Sequence, residues 1–481
     1  MKKHLINITA STLLIALLAS CAVGPDYQRP PTNAHTAWVA PLPHDGKPAL
    51  LVNWWSQWDD TVLTELIDNA MRENTSVAQA AARIAQSRAN YRSLTSLLFP
   101  AFTANASDIR SKGDGQGQTQ SQPQGQPQGQ QPTQSNGEQR IRNLSLDAAW
   151  ELDVVGGARR GREAAAQRLN AREADWHDAK VMIAGEVAMQ YVNLRACEIL
   201  LQGFAIDTRS RLETARLTNL KKDAGFEAPA NAALVSASAS ESNARLIAQR
   251  ADCDVVVKTL VELTATSEPL LRASLEKKRA VLPIPKSFAI NQIPADAISQ
   301  RPDVASAERE LAASMADIGL AIADRFPRIS LTGVIGYQQF SSGGVESNGR
   351  TWRFGPAITL PIFDAGRRAA NVDAARARYD EQLAAYKGKT LRAVREVEES
   401  LVRLDSAAKR EADANAALNG YQQFLRAAEA KVKVGAGSLT ELEDARRAVV
   451  AAQGTAVGVA RERLTAWISL YKAVGGGWTS S

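Results

Sequence analysis

The amino-acid sequence predicts a mainly α-helical protein that also contributes four transmembrane β-strands and is built as a tandem internal repeat. Three observations support this fold class. Motifs recur in the same order in both halves of the chain, four segments alternate between apolar and polar residues, and long alanine-rich segments favour helices. The 481 residues have a mean hydropathy of −0.24. No internal stretch supplies the ~20 consecutive apolar residues that a membrane-spanning helix needs.

Composition excludes several classes of function. The net charge of +6 is small for this length, and no basic run is interleaved with aromatic residues, so nucleic acid is not an expected partner. The four histidines are scattered, which argues against a histidine-built metal site, and no metal or cofactor is expected apart from a covalent lipid. Because the sequence contains no GxSxG, P-loop or HExxH motif, we do not expect an enzyme.

Residues 1–20 have the form of a secretory signal peptide, with a basic start followed by a short apolar stretch. The stretch ends in Leu18-Ala19-Ser20-Cys21, and small residues before a cysteine are typical of a bacterial lipobox. We therefore expect Cys21 to become the lipidated N-terminus, with acyl chains such as palmitate anchoring it in a membrane. Ala22 rather than Asp follows the cysteine, which by the habit of bacterial lipoproteins implies sorting to the outer membrane. Ordinary signal cleavage nearby, with Cys21 an incidental thiol, is the alternative.

The remaining cysteines are Cys197 and Cys253, which form no CxxC motif. An oxidising periplasm would allow a disulfide between them. Two free thiols buried in helices are the interpretation that the sequence favours.

The repeat sets the predicted domain organisation. Phe99-Pro100 recurs as Phe326-Pro327, and Leu152 to Arg160 recurs as Leu360 to Arg368 at a shorter spacing. Extra residues in the first copy explain the difference. We predict a signal peptide, a lipidated extended segment, a first repeat and a second repeat with a C-terminal tail, at 1–20, 21–60, 61–290 and 291–481.

Alternation with a period of two predicts strands near 99–108, 141–153, 328–340 and 351–363. Each has about 9–12 residues, the length of a tilted strand that crosses a bilayer. A half-buried sheet packed on helices is the soluble alternative. Four strands cannot close a barrel, and open edges in lipid would leave amides without partners. Two or three chains must therefore combine to close a barrel, and the alternating sequence does not determine which number is correct.

Long helices are predicted from about 158 to 220 and from about 365 to 433, each containing a turn, with shorter helices at 74–98, 302–325 and 439–474. Gly225 to Pro229 and Gly435 to Ser438 break the helices at matching places. The Gln-rich segment 111–139 is predicted to be an extracellular loop, and 341–350 the matching shorter loop. Trp54, Trp55 and Trp58 are expected to pack in the protein, with ligand stacking as the alternative.

Several motifs, taken in order, resemble the outer-membrane factor family of TolC-like and OprM-like (NodT-type) lipoproteins of tripartite efflux systems. The resemblance covers essentially the whole chain. Its motifs are Cys21-Ala22-Val23-Gly24-Pro25-Asp26-Tyr27, Arg301-Pro302-Asp303-Val304, Phe326-Pro327-Arg328-Ile329-Ser330-Leu331, Leu360-Pro361-Ile362-Phe363-Asp364-Ala365-Gly366-Arg367 and Tyr471-Lys472-Ala473-Val474-Gly475-Gly476-Gly477-Trp478. The Gln-rich insert and the looser junction Asp153-Val154-Val155-Gly156-Gly157 depart from the family pattern.

The resemblance implies a homotrimer with a 12-stranded outer-membrane β-barrel, four strands per chain, continuous with a long periplasmic α-helical barrel. It implies passive export of drugs or other small toxic compounds, with a periplasmic adaptor and an inner-membrane pump of RND type or similar as partners. An exit duct for type I-like protein secretion is the nearest rival. A structural coiled-coil lipoprotein is a further alternative, although it would not explain the strands.

The family also implies a closed periplasmic tip. We predict that the hairpin between Leu391 and Gly435 turns between Asp405 and Gly420. The resemblance then implies that Asp405 and Asp413 form carboxylate rings at this tip, with Arg403 or Arg410 as partners. Ordinary exposed helix charges are the alternative interpretation of these four residues.

Overall fold

The computed structural model describes residues 22–31, 38–40, 51–112, 138–283, 298, 301–342 and 344–476. The predicted signal peptide 1–20, Cys21 and most of the Gln-rich segment lie outside the described residues. The chain divides into two compact units. The strand unit comprises the described parts of 1–28, 87–169 and 311–382, and the helical unit comprises those of 29–86, 170–310 and 383–481.

Among the described residues, the strand unit contains one antiparallel sheet in the order β1-β2-β3-β4. The strands are β1 (Ala101–Lys112), β2 (Glu138–Leu152), β3 (Arg328–Ser342) and β4 (Val345–Thr359). They form where the sequence alternates, because alternation gives a pleated sheet one apolar face.

Several predicted strand ends are wrong. Ser111, Lys112, Glu138 and Gln139, predicted to lie in the Gln-rich loop, pair with one another in β1 and β2. The shorter loop at 341–350 is not formed, since Ser342 pairs with Val345 and the ladder continues through Gln339 and Asn348. The polar and glycine residues there resemble a loop but are paired in the sheet. At the other end β4 stops at Thr359 rather than 363. Pro361 has no N–H to donate to a ladder, which agrees with the earlier end.

The helices are α1 (Thr61–Glu73), α2 (Thr75–Ser96), α3 (Gly157–Asp223), α4 (Pro229–Thr264), α5 (Glu268–Leu275), α6 (Pro302–Ala323), α7 (Arg367–Lys433) and α8 (Leu439–Ala473). Short 3₁₀ segments occupy Leu51–Trp58 and Glu276–Lys278. The turns predicted inside the long helices are wrong, because α3 and α7 each run without interruption for 67 residues. The charged residues in the middle of α3 and of α7 are compatible with a continuous helix, since they are not helix breakers.

Both long helices end in the same way in the helical unit. Gly225 and Gly435 take left-handed φ values of +79° and +75°, which glycine adopts without a steric cost. After each glycine a backbone N–H reaches back five residues, from Phe226 to Lys221 O at 2.8 Å and from Ala436 to Lys431 O at 2.9 Å. This bonding satisfies the last carbonyls and turns the chain into α4 and α8.

The core of the helical unit forms around the N-terminus of α1. The Asp60 carboxylate accepts hydrogen bonds from the Val62 and Leu63 amides at 3.0 and 3.1 Å, and the Tyr191 hydroxyl donates to it at 2.7 Å. Trp54 is fully buried, with its ring stacked 5.0 Å from that of Tyr471. Trp55 and Trp58 pack against it. The three tryptophans are therefore buried, as the packing interpretation expects, and are not exposed for stacking on a ligand.

The expectation of two free thiols is wrong. Cys197 on α3 and Cys253 on α4 form a disulfide, with their Cα atoms 5.7 Å apart. Antiparallel pairing of the two helices brings these distant positions together, which spacing along the sequence does not reveal.

This disulfide closes a segment with a sequence separation of 56. Replacing both cysteines by serine is expected to destabilise the helical unit by about 2–4 kcal/mol, because the unfolded chain gains freedom. Thermal unfolding of wild type with and without reductant, beside the double variant, measures this. Equal melting temperatures in all three samples would show that the bridge contributes nothing.

Candidate functional surfaces

One face of the sheet, the apolar face, is formed by side chains at alternate positions of all four strands. Ile335 lies opposite both Leu146 and Trp352, so one row crosses the sheet from β2 to β4. Exposed fractions reach 63% for Ile335, 81% for Trp352 and 71% for Phe354. Its larger members are Phe102, Leu144, Leu146, Trp150, Leu331, Ile335, Tyr337, Trp352, Phe354 and Ile358. A continuous apolar surface of this kind marks an interaction with lipid or protein.

The apolar face has the length of a transmembrane strand. Its apolar rows run along β2 from Leu144 to Leu152, which is about 27 Å along the strand at about 3.4 Å per residue. A tilted strand that crosses a bilayer needs about 9–11 residues, and this segment provides the lower end of that range.

The opposite face of the same sheet is mainly polar at the level of the apolar rows, and beyond them Ile109, Ile141 and Phe340 form an apolar row on it. Asn105 donates a hydrogen bond to the Asp147 carboxylate, and Ser145 lies beside them. Gln338 and Arg353 are exposed on the same side of β3 and β4. One apolar and one polar face are what a wall between lipid and water requires.

Residues 22–26 are fixed at the helical end of β2. The Val23 amide donates to Val155 O at 3.0 Å. Arg160, which is buried, donates to Val23 O at 3.2 Å and to Asp26 at 2.7 Å. Gly24 packs so tightly that an added Cβ would lie 2.5 Å from the Gly319 Cα. The residues directly after Cys21 are therefore held beside the sheet, whereas Cys21 itself lies outside the described residues.

The two strand-to-helix junctions use the same device. Asp153 accepts hydrogen bonds from the Ala158 and Arg159 amides, both at 2.9 Å, at the start of α3. Asp364 accepts from the Gly366 and Arg368 amides at 3.2 and 3.3 Å at the start of α7. The looser sequence of the first junction thus keeps the capping carboxylate.

In the helical unit, Arg301 connects three elements. Its guanidinium donates to the Asp303 carboxylate at 2.9 and 3.0 Å, to Glu396 of α7 at 2.7 Å and to Ala473 O of α8 at 3.0 Å. Burial alone would raise the pKa of Asp303, but the hydrogen bonds and charge of Arg301 hold that pKa below its usual range. The sequence motif therefore has a structural role in fixing the start of α6.

Asp178 lines a cleft of about 480 Å³ beside Arg301. Burial, and then the Asp303 carboxylate, raise the pKa of Asp178 to about 6, while Lys389 and Arg301 oppose the shift and Asp175 adds to it. An unfolded aspartate titrates near 3.9. Between about pH 4 and pH 6 the folded chain therefore holds this proton more often than the unfolded chain does, and stability falls as pH rises through that window.

We expect Asp178→Asn to raise the melting temperature at pH 7.5, where wild type carries a buried carboxylate, and to flatten the pH profile between 4 and 6. Thermal unfolding at several pH values measures both effects. Asp254→Asn is the matched control, because that carboxylate is about half exposed in a surface pair with Arg272 at 2.7 Å and is not one of the charges that shift the pKa of Asp178. An unchanged profile for Asp178→Asn would contradict the assignment.

The predicted tip turn between 405 and 420 is wrong, since α7 continues through it to Lys433 and the chain turns after Val434. Asp405 accepts a hydrogen bond from Lys409 at 2.7 Å, and Arg410 pairs with Glu462 of α8 at 2.6 Å. Arg403 and Asp413 are exposed on α7. The structure does not place these four residues at a turn, which was the reason for assigning them to a gate.

A buried ionic network in the helical unit, which we call the Glu443 network, was missed in the sequence. The Glu443 carboxylate accepts from Arg446 at 2.8 Å and also from Arg211 of α3 and Ser238 of α4. The Arg211, Glu443 and Arg446 side chains are no more than 5% exposed. Because Glu443 stands among other charged residues of α8, the local pattern is that of a solvated helix face.

Within the described ranges, no helix is long and apolar enough to cross a membrane. The same residues contain no cluster of three or more His, Cys, Asp or Glu side chains able to hold a metal ion.

The fold and its exposed apolar face define a class of protein, and comparison with solved structures identifies that class as outer-membrane channels. The outer-membrane channel OprN aligns with a TM-score of 0.81 at 27% identity, over 95% of this chain and 100% of that chain. The open-state MtrE outer membrane channel of Neisseria gonorrhoeae aligns with a TM-score of 0.74 at 27% identity, over 95% and 98%.

Sequence comparison then gives the family. The pattern of the outer membrane efflux protein family matches residues 66–266 and 293–476, and the chain belongs to this family. Outer membrane protein OprJ of Pseudomonas aeruginosa is 30% identical over 97% of this chain and 95% of that protein. The solvent efflux pump outer membrane protein SrpC of Pseudomonas putida is 27% identical over 97% of both. Nodulation protein T of Rhizobium leguminosarum bv. viciae is 26% identical over 98% and 94%. The recognised family is confirmed.

Proposed function

We propose that this chain is the outer-membrane channel of a tripartite efflux pump and a passive export duct for drugs or other small toxic compounds. The apolar face of the sheet is the observation that carries the proposal. It is exposed, its strands are long enough to cross a bilayer at the usual tilt, and it is backed by a mainly polar face suited to a water-filled interior.

A single sheet cannot be the complete channel. In the order β1-β2-β3-β4, the two outer strands present unpaired edges. In lipid each unpaired amide costs several kcal/mol, so the edges must pair with those of other copies. We propose a homotrimer that closes a 12-stranded barrel, wide enough for a water-filled interior, and continues into a periplasmic helical barrel.

The proposed tandem repeat is supported by matched elements. α3 and α7 have 67 residues each, and α4 and α8 have 36 and 35. Their turns use the same glycine conformation and backbone bonds. We propose that 61–290 and 291–481 are the two copies, and that each sends two strands to the membrane and a helical hairpin into the periplasm.

We also propose that Cys21 carries the lipid. Ala22 lies against Gly156, where an added Cβ would come within 2.7 Å of the Ala22 Cα. This contact places the residue after Cys21 at the helical end of the sheet, where acyl chains on the cysteine would enter the periplasmic leaflet. The lipid would supplement the anchoring by the strands.

Small-molecule export is favoured over protein secretion because curated relatives are named for solvent, toluene or antibiotic efflux. The proposed partners are a periplasmic adaptor and an inner-membrane pump of RND type or similar.

Two measurements on the purified full-length protein test the proposal. Native mass spectrometry in detergent is expected to give a trimer, and reconstitution into planar bilayers is expected to give discrete conductance steps. A strain that lacks the gene is expected to become sensitive to exported compounds, with recovery on complementation. A monomeric protein without conductance would overturn the proposal, and resistance restored by complementation in a strain without an inner-membrane pump would overturn the tripartite part.

A further inference from the structure

The apolar face of the sheet does not end in neutral residues. Beyond Ala106 and Leu144, the next positions on the same side are charged in both β1 and β2. Asp108 lies opposite Arg142, and Arg110 lies opposite Arg140. We call Arg110, Arg140, Arg142 and Asp108 the arginine rows.

The arginine rows carry an excess of positive charge. Arg140 donates from Nε to Asp108 at 2.8 Å, and Arg142 Nε lies 3.5 Å from the same carboxylate. Asp108 is thus shared by two of the three guanidinium groups. The next pair on the same side, Lys112 opposite Glu138, adds one charge of each sign, so the net charge of this end stays positive. Arg110 lies directly opposite Arg140, and like charges in such a cross-strand pair destabilise a sheet. An unfavourable arrangement such as this like-charge pair is typical of a functional site, where stability is lost in favour of function. An anion bound between the strands would offset the repulsion.

Topology fixes which end of the sheet carries these residues. Strand β2 meets α3 just after Leu152, and β3 begins just after α6, so the helices attach at the opposite end. If the helices lie in the periplasm, as proposed above, the arginine rows lie at the outward end of the apolar face. Apolar side chains for acyl tails and guanidinium groups for an anion then follow one another along the same surface.

We propose that the arginine rows bind the phosphate groups of a phosphorylated lipid headgroup in the outward leaflet, with its acyl chains on the apolar face below. Guanidinium groups suit this ligand because their planar donors match phosphate oxygens in pairs. The two hydrogen bonds from Arg140 to Asp108 fix the orientation of the Arg140 guanidinium before the lipid binds. The inference rests on the proposed channel function, since it needs the apolar face to meet lipid.

The test is lipid binding by the full-length trimer, counted by native mass spectrometry with diphosphoryl lipid A and with its dephosphorylated form. Wild type is expected to prefer the phosphorylated lipid. The triple variant Arg110→Gln/Arg140→Gln/Arg142→Gln is expected to bind it about 30-fold to 120-fold more weakly, if each of the three basic residues contributes about threefold to fivefold near an anionic surface. The matched control is Arg328→Gln/Arg353→Gln, which removes arginines from the opposite face of the sheet. It is expected to bind as wild type does.

The single variant Arg110→Gln is the control for misfolding of the triple variant. It removes one member of a like-charge pair, so the sheet should not be destabilised. It is expected to weaken lipid binding by about threefold to fivefold without lowering the melting temperature. Equal binding of both lipid forms, or equal losses in the triple variant and the control, would overturn the inference. Full competition by millimolar inorganic phosphate would also overturn it, since the site would then be one for free phosphate.

Conductance separates this inference from the proposed function. If wild type and the triple variant both conduct but bind lipid equally, the arginine rows have no lipid role and the channel stands. If wild type does not conduct, the proposed channel function is contradicted, whatever the result for lipid binding.

Discussion

Glu443→Leu is expected to lower the stability of the helical unit by about 3–5 kcal/mol, the usual cost of removing one partner from a buried ion pair. The Glu443 carboxylate is 2% exposed and accepts hydrogen bonds from Arg211, Arg446 and Ser238. Without it, Arg446 keeps only the Ser210 and Thr214 hydroxyls, at 2.8 and 2.9 Å. A buried guanidinium without a carboxylate is the source of the expected loss.

Differential scanning fluorimetry and urea unfolding measure the effect. Glu441→Leu is the matched control, two residues away on α8, where the carboxylate makes a surface pair with Lys431 at 2.9 Å. Such pairs contribute at most about 1 kcal/mol. The double substitution Glu443→Leu/Arg446→Leu is expected to recover part of the stability, because Arg211 keeps its pair with Asp207 and no buried charge of the network remains without a partner. If Glu443→Leu and Glu441→Leu unfold alike, the network is not a stabilising element.

The Glu443 network also shows what a sequence conceals. Asp207 and Glu443 lie on different helices, yet both hold Arg211, which is their shared partner. Only the packing of α3, α4 and α8 brings them together. Sequence spacing reports neighbours on one helix, so these charges resemble a solvated face. The disulfide between Cys197 and Cys253 was missed for the same reason.

What could be predicted was encoded locally. Gly225 and Gly435 stop the long helices because they adopt left-handed conformations there, and the predicted breaks lie at these positions. The alternation of the strands was visible for the same reason, since side-chain direction changes at every residue. The gate assignment at Asp405 and Asp413 depended instead on a turn that no Gly or Pro between them supported, and α7 runs through it.

The second large effect is expected from a charge placed on the face of the sheet that we propose meets lipid. Ile335→Arg is expected to prevent insertion or assembly, because it places a charge near the middle of the apolar face, between Leu146 and Trp352. An arginine at the lipid midplane of a barrel costs about 2–4 kcal/mol, and three copies would each bear that cost in the proposed trimer. Thr332→Arg is the matched control on the same strand. It lies between Ala149 and Gly355 on the polar face, where a charge would meet water.

Heat-modifiable gel mobility, native mass spectrometry and bilayer conductance compare the two variants. Thr332→Arg is expected to assemble and conduct, with a changed ion selectivity because the new charge faces the channel interior. Ile335→Arg is expected to give little assembled protein in the membrane fraction. The opposite result, assembly of Ile335→Arg and failure of Thr332→Arg, would mean that the apolar face lines the interior and that lipid meets the other side. Failure of both would point to tight packing on both faces of the sheet, as in a buried soluble sheet, and would contradict the proposed wall between lipid and water.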